Sequence, residues 1–284
     1  MSKCLRGVML ISTLAISGLS LSAQSGSPQQ PSDSSKASEV FAPLLASPTE
    51  PASLLRYPGD SEMDFELAEP FALYTVEGKN SSWQVGLWPG IAARFQKSTT
   101  QLLLEAVDFR LAVPVAYQKG RWSTRVELFH QSSHRGADFN PGVPPGFSYS
   151  REAVQVLVAY GNPDHWRAYA GPTVLLRTHP SVGRWAFQAG IEWFPKMLAG
   201  RQARFYLAED VVTPEEVRWH ANVSVQPGVL LTTGDGKPVA RLAGWFYHGE
   251  APFGQLFRMR ETRVGAEIVM ELRPLPRSLV TRRR

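Results

Sequence analysis

Apolar side chains fall on every second residue through most of residues 59–272, and this period of two constrains the fold more than any other feature. In residues 106–117, Val107, Phe109, Leu111, Val113, Val115 and Tyr117 share one face. The other face carries Ala106, Asp108, Arg110, Ala112, Pro114 and Ala116. The next run sets Trp122, Thr124, Val126 and Leu128 against Arg121, Ser123, Arg125 and Glu127. Residues 154–160, 185–193 and 264–272 repeat the pattern, with Arg184, Gln188 and Glu192 among the residues opposite the apolar faces. A soluble sandwich alternates as well, so the ends of the apolar faces decide. Tyr117 and Trp122 flank the turn QKGR, and Tyr160 and Trp166 flank GNPDH. Trp185 and Trp193 share one face, and in a strand tilted by about 40° their separation spans roughly 20 Å, near the height of the apolar band of a membrane barrel. The opposite faces are small or charged, as a narrow polar lumen requires. The expectation is an all-β fold, a closed antiparallel transmembrane β-barrel.

Strand parity narrows it further. Ten strands stand out, at 83–95, 102–118, 121–133, 148–160, 165–177, 184–194, 201–211, 216–232, 238–248 and 262–272. The long connections 134–147 and 249–261 fall at one end, and QKGR, GNPDH and the hairpin signal GDG fall at the other. Barrels of this type place long loops outside the cell and short turns in the periplasm. FALYTVE, residues 71–77, adds a strand, and residues 63–68 add the one that returns the N-terminus to the periplasm. Twelve strands are expected, with ten as the alternative.

The ends of the chain carry separate signals. Lys3 and Arg6 precede an apolar run from Val8 to Leu21, with Ala23 or Ser25 as a small residue for cleavage, so residues 1–23 have the layout of a secretory signal peptide. Cys4 lies in that leader, which leaves the mature chain without cysteine. Residues 24–40 are rich in Ser, Pro and Gln and read as a flexible linker. Residues 41–58 mix apolar residues with proline and read as an irregular periplasmic strap, residues 59–272 as the barrel, and residues 273–284 as a basic tail. The formal net charge of +5 comes from these ends: without Lys3, Arg6, Arg277, Arg282, Arg283 and Arg284 the chain is close to neutral. No basic footprint for nucleic acid remains. The implied location is the outer membrane of a Gram-negative-type bacterium. Outer-membrane lipids, lipopolysaccharide and the barrel assembly machinery are the expected partners.

Four stretches, FAPLLASPTEP, HQSSHRGADF, SREAVQVLVAY and GEAPFGQLF, resemble in order signatures of the bacterial domain of unknown function 1207 family. The resemblance runs from about Phe41 to Leu272. It implies an outer-membrane β-barrel and no assigned activity. One departure concerns the ending: such barrels finish on an aromatic residue, whereas here RPLPRSLVTRRR follows Leu272 and is too polar and basic to extend a lipid-facing strand.

The chemistry-bearing residues gather in LFHQSSHRGADF, residues 128–139. By parity His130, Ser132 and His134 share the lipid-facing side of Trp122, Val126 and Leu128, at the outer rim. If the following hairpin pairs near residues 133 and 148, Glu152 lies opposite residue 129 or 130. A serine needs a neighbouring base to become a nucleophile, and the imidazole needs an acid to fix its tautomer. The set is similar, at the level of three residues, to the His-x-Ser plus Glu logic of outer-membrane lipid A deacylases. It would act on lipid A or phospholipid with Ser132 as nucleophile, His130 as base and Glu152 as orienter. In the plainer reading His130, Gln131, His134 and Asp138 bind loop backbone and headgroups, with Arg135 and Asp138 tying the next turn. No metal or cofactor is expected, because His130 and His134 lack a second cluster at ligand spacing. Asp108, Arg110, Arg125, Glu127, Arg184 and Glu192 would face the lumen, lining a solute path or locking together. The first functional reading is a structural barrel or narrow passive pore of unassigned activity, and the alternative is the esterase.

Overall fold

The computed structural model describes residues 40–59, 62–136, 146–195, 203–233 and 238–270, and the backbone of 280–283. All of these belong to one of two compact units, Ser38–Arg284. The signal peptide, nearly all of the linker, Asp138, the GDG turn and most of the tail lie outside the described residues. The first strands are β1 (Ser53–Tyr57), β2 (Glu62–Ala68), β3 (Phe71–Glu77), β4 (Ser81–Lys97), β5 (Leu102–Lys119), β6 (Trp122–Arg135) and β7 (Tyr149–Asn162). They continue as β8 (Trp166–His179), β9 (Trp185–Trp193), β10 (Ala203–Pro214), β11 (Asn222–Thr232), β12 (Pro238–Glu250), β13 (Arg260–Met270) and β14 (Val280–Arg283).

From β4 to β13 each strand pairs antiparallel with the next, and β1 closes the cylinder by pairing with β13 on one edge and β2 on the other. Closure pairs the wall strands around the cylinder, which is what lets strands cross hydrocarbon, where an unpaired backbone group has no water to bond. β2 and β3 run end to end along β4, with Ala68 opposite Gly90 and Phe71 opposite Leu87. They are two halves of one wall strand, interrupted at Glu69 and Pro70, where the proline has no N–H to give. The wall therefore has twelve strands, as expected, but its makeup differs. Residues 63–68 and 71–77 share one position, and the missing strand is β1, inside the stretch read as an irregular strap. The strand expected at 216–232 starts at Asn222, because Arg218 and Trp219 take positive φ.

The tail does not extend β13 but adds a short pairing of its own. Backbone of Val280–Arg283 pairs in parallel with Tyr74–Glu77. β1 is only five residues long and leaves that edge of β3 open. Main-chain groups satisfy such an edge whatever side chains they carry, so a basic sequence is no bar.

Polarity is inverted relative to a water-soluble core. Phe109, Leu111, Val113, Val115, Val126, Leu128, Phe187 and Ile191 are exposed on the outer surface, while Arg94, Arg125, Glu127, Glu192 and Glu267 are buried inside. Aromatic rings mark the short-turn end, with Trp122 and Tyr160 4.7 Å apart and Tyr160 and Trp166 5.9 Å apart between centroids.

Two segments fill the lumen. Residues 40–52, expected beneath the barrel, thread into it from the short-turn end. Arg167 donates to the carbonyls of Ala42 and Pro43 at 2.6 and 2.7 Å, and the Leu45 amide donates to Glu192 at 2.9 Å. Gln188 donates to Ser47, and Arg125 holds Glu50 through two bonds of 2.6 and 2.8 Å. The correction has a physical cause: inward-facing charges need partners, and the segment supplies a carboxylate and free carbonyls. From the long-loop end, residues 251–257 fold inward as a cap, with Phe253, Leu256 and Phe257 buried. A Cβ added at Gly254 would stand 2.6 Å from Ser133 Cβ and closer still to the Tyr149 ring, so a larger residue there would have to displace the cap.

Candidate functional site

β6 carries both candidate chemistries on its two faces. Its inward residues Arg125, Glu127, Gln131 and Ser133 join the lumen network. Arg110 pairs with Glu127, which also lies 3.4 Å from Arg125. Asp108 accepts from Ser133, from Gln131 at 2.7 Å and from the Gly254 amide at 3.0 Å. Gln255 completes the cap by donating to the Ser133 hydroxyl and carbonyl at 2.9 and 3.0 Å. Glu192 pairs with Arg167 at 2.7 Å. Five of the six residues read as lumen-facing thus point inward. Arg184 differs in being exposed: it stands in the connection before β9, where it helps to line the lumen cavity at the long-loop end, and its backbone amide donates to Glu215. The strand ends there, so parity no longer fixes which way its side chain turns.

Between the threaded segment and the cap lies a cavity of about 160 Å³, lined among others by Glu50, Arg110, Arg151, Asp210, Glu216 and Glu250. Glu216 stands in the short 3-10 turn Glu215–Val217 and meets Arg151. Burial pushes its carboxyl above the ordinary value, against the opposing pull of Arg151. Among the described residues, no group of three or more His, Cys, Asp or Glu side chains is arranged to hold a metal ion.

The outward face of β6 ends in His130, Ser132 and His134. The ladder places His130 directly opposite Glu152 and Ser132 opposite Ser150. The His130 Nδ1 atom lies 4.0 Å from Glu152 Oε1, with the two side chains 51% and 46% exposed. That is at the edge of ion-pair range and longer than a hydrogen bond. Ser132 is two residues from His130 on the same face, and no side-chain hydrogen bond joins them among the described residues. Such bonds are commonly long before substrate arrives. His134 packs edge-on against Phe109, 6.0 Å between centroids. Gln131 points the other way, to Asp108, and is not part of the outward group.

Beneath the polar rows the surface is apolar, beginning with the row Val113, Leu128, Val154 and Val174. His130 is eight residues above Trp122, about 20 Å along the barrel axis at a tilt near 40°. This puts the row at the far boundary of the apolar band. Sequence parity missed one neighbour. Arg177 pairs with Glu152 from the other side because Leu176 bulges out of the ladder, and the bulge turns Arg177 outward against the alternation that starts at Trp166.

The family described as protein of unknown function (DUF1207) matches residues 33–270. No curated protein matches the chain. Among solved structures, the barrel is similar to the outer membrane phospholipase (OMPLA) dimer of Salmonella typhi with bound calcium. The TM-score is 0.51 and the identity 16%, over 74% of this chain and 78% of that one. Outer membrane phospholipase A from Escherichia coli aligns over the same shares with a TM-score of 0.48 and 15% identity. At these identities the likeness is one of fold.

Proposed function

We propose that this chain, which belongs to the DUF1207 family and folds as an outer-membrane-type barrel, is a lipid esterase acting at the outer rim of its wall. The observation that carries the reading is the placement of Glu152 directly opposite His130, 4.0 Å from its Nδ1, with Ser132 on the same outward face. A solved barrel of similar fold is a phospholipase, which supports the same class of substrate. The expectation of a passive pore has less support, because a threaded segment and an inward cap both occupy the lumen.

In this mechanism the long-loop end faces outward and an acyl ester lies against the rim. Glu152 holds the Nδ1–H of His130, leaving Nε2 to take the proton of Ser132. The Ser132 oxygen attacks the ester carbonyl. His130 then returns the proton to the departing alcohol as the C–O bond breaks, and the acyl group stays on Ser132. Water, deprotonated by His130, hydrolyses that acyl-serine, releasing a fatty acid and restoring the hydroxyl. The net reaction is ester plus water to acid plus alcohol, with no redox partner. The hydrocarbon beside the row supplies the acyl chains without their leaving the membrane.

Purified chain in mixed micelles, with phospholipid or lipid A and products read by mass spectrometry, tests the proposal. Wild type should release fatty acid and Ser132→Ala should not. Equal acyl release by both forms, or none by either, sinks it.

A further inference from the structure

The outward polar surface continues past Glu152 onto β8. One row across the wall reads Leu111, His130, Glu152, Arg177, and the row above it reads Phe109, Ser132, Ser150, His179. Arg177 and His179 are exposed. Among the described residues Arg177 makes no side-chain hydrogen bond or ion pair, and Glu152, its neighbour across the ladder, is in ion-pair range of His130 instead.

An unpaired guanidinium on the lipid face is costly near the midplane of a bilayer, and the cost largely disappears near the interface. Arg177 stands at that interface, directly above exposed Leu176, where lipid phosphates lie. The planar guanidinium is matched to phosphate oxygens, with which it forms paired, charge-assisted hydrogen bonds.

We propose that Arg177, with His179 beside it, forms the phosphate subsite of the rim, so that the substrate is a phosphate-bearing acyl lipid. The inference rests on the esterase reading. It adds that the phosphate anchors the molecule on β8 while an ester reaches Ser132 on β6. Those strands are two spacings apart, about 10 Å. The long Arg177 side chain and the headgroup-to-ester length of one lipid bridge that distance. The bulge at Leu176 is what makes the arrangement possible: without it Arg177 would point into the lumen, and Leu176 would stand opposite Glu152.

Two measurements test this. In micelles, hydrolysis of phosphatidylglycerol is compared with that of diacylglycerol, which lacks the phosphate, for wild type, Arg177→Gln and Arg177→Lys. Arg177→Gln should raise KM for phosphatidylglycerol about tenfold, erasing the preference over diacylglycerol, and Arg177→Lys should recover part of it. Binding is measured separately in a Ser132→Ala background with phosphatidylglycerol, lipid A and dephosphorylated lipid A by native mass spectrometry. Loss of phosphatidylglycerol binding in the Arg177→Gln form identifies a glycerophospholipid phosphate. Loss confined to lipid A over its dephosphorylated form identifies the lipid A phosphates. An unchanged preference and unchanged binding of both phosphorylated lipids overturn the subsite. Failure of the esterase reading leaves a different mark: wild type and Ser132→Ala would hydrolyse lipid equally, or neither would, while the binding arm still reports on Arg177.

Discussion

Ser132 and Ser133 are adjacent in sequence and opposite in circumstance. Ser133 faces the lumen, is buried, and bonds Asp108 and Gln255. Ser132 faces outward, half-exposed, with its hydroxyl uncommitted among the described residues. The same contrast separates Glu192, locked onto Arg167 inside, from Glu152, held loosely opposite His130 outside. Inside, a polar group is there because the lumen must be filled, and every charge removed from water needs a partner. Outside, polar groups at the top of an apolar wall are not needed for closure. Side chains that pack poorly and pair loosely are the ones left free to do chemistry.

The largest effect expected from breaking this contrast is on activity. Ser132→Ala should lower lipid hydrolysis by about a thousandfold or more, the scale seen when a catalytic nucleophile is removed, while Ser133→Ala should retain turnover. If the two variants lose activity equally, the faces do not differ in role. Next comes the lumen pair: Arg167→Met leaves Glu192 buried without its charged partner and frees the carbonyls of Ala42 and Pro43. Breaking a buried pair in this way costs about 3–5 kcal/mol, and urea unfolding in micelles should show a clearly lowered midpoint. A wild-type midpoint would mean that the threaded segment is not held as described. A smaller loss, about 1–3 kcal/mol, is expected for Ser133→Ala, because Asp108 loses a bond while staying buried. The same unfolding curves would register it, and no shift would argue against the cap's anchoring. Smallest is Glu152→Ala, whose stability should lie within about 0.5 kcal/mol of wild type while its hydrolysis falls. A marked drop in melting temperature would make Glu152 a structural residue.

Much of the fold was legible because a barrel wall is written locally. Alternation in β5, β6 and β7 fixed which side chains face out, and the short hairpin QKGR fixed the register between β5 and β6. Pairing near residues 133 and 148 left Glu152 opposite residue 129 or 130, and the observed pairing of Ser133 with Tyr149 selects His130. The errors fell where local pattern stops. Arg177 escaped because one bulged residue reverses parity. Leu175 and Leu176 side by side, breaking the alternation, were the signal that could have revealed it. β1 escaped because it is five residues long and follows a proline-rich run.

Neighbours a few residues apart thus set the wall's period of two and the outward position of His130 and Ser132, whereas the count of twelve came out right because two half-strands stood in for the unread β1. What fills the wall and what stands beside the rim emerged only once the chain had folded. Glu50 meets Arg125 across 75 residues, Gln255 meets Ser133 across 122, and Arg177 joins Glu152 through a bulge. Contacts that distant arise when the cylinder closes and buried charges find partners, and no short-range pattern encodes them.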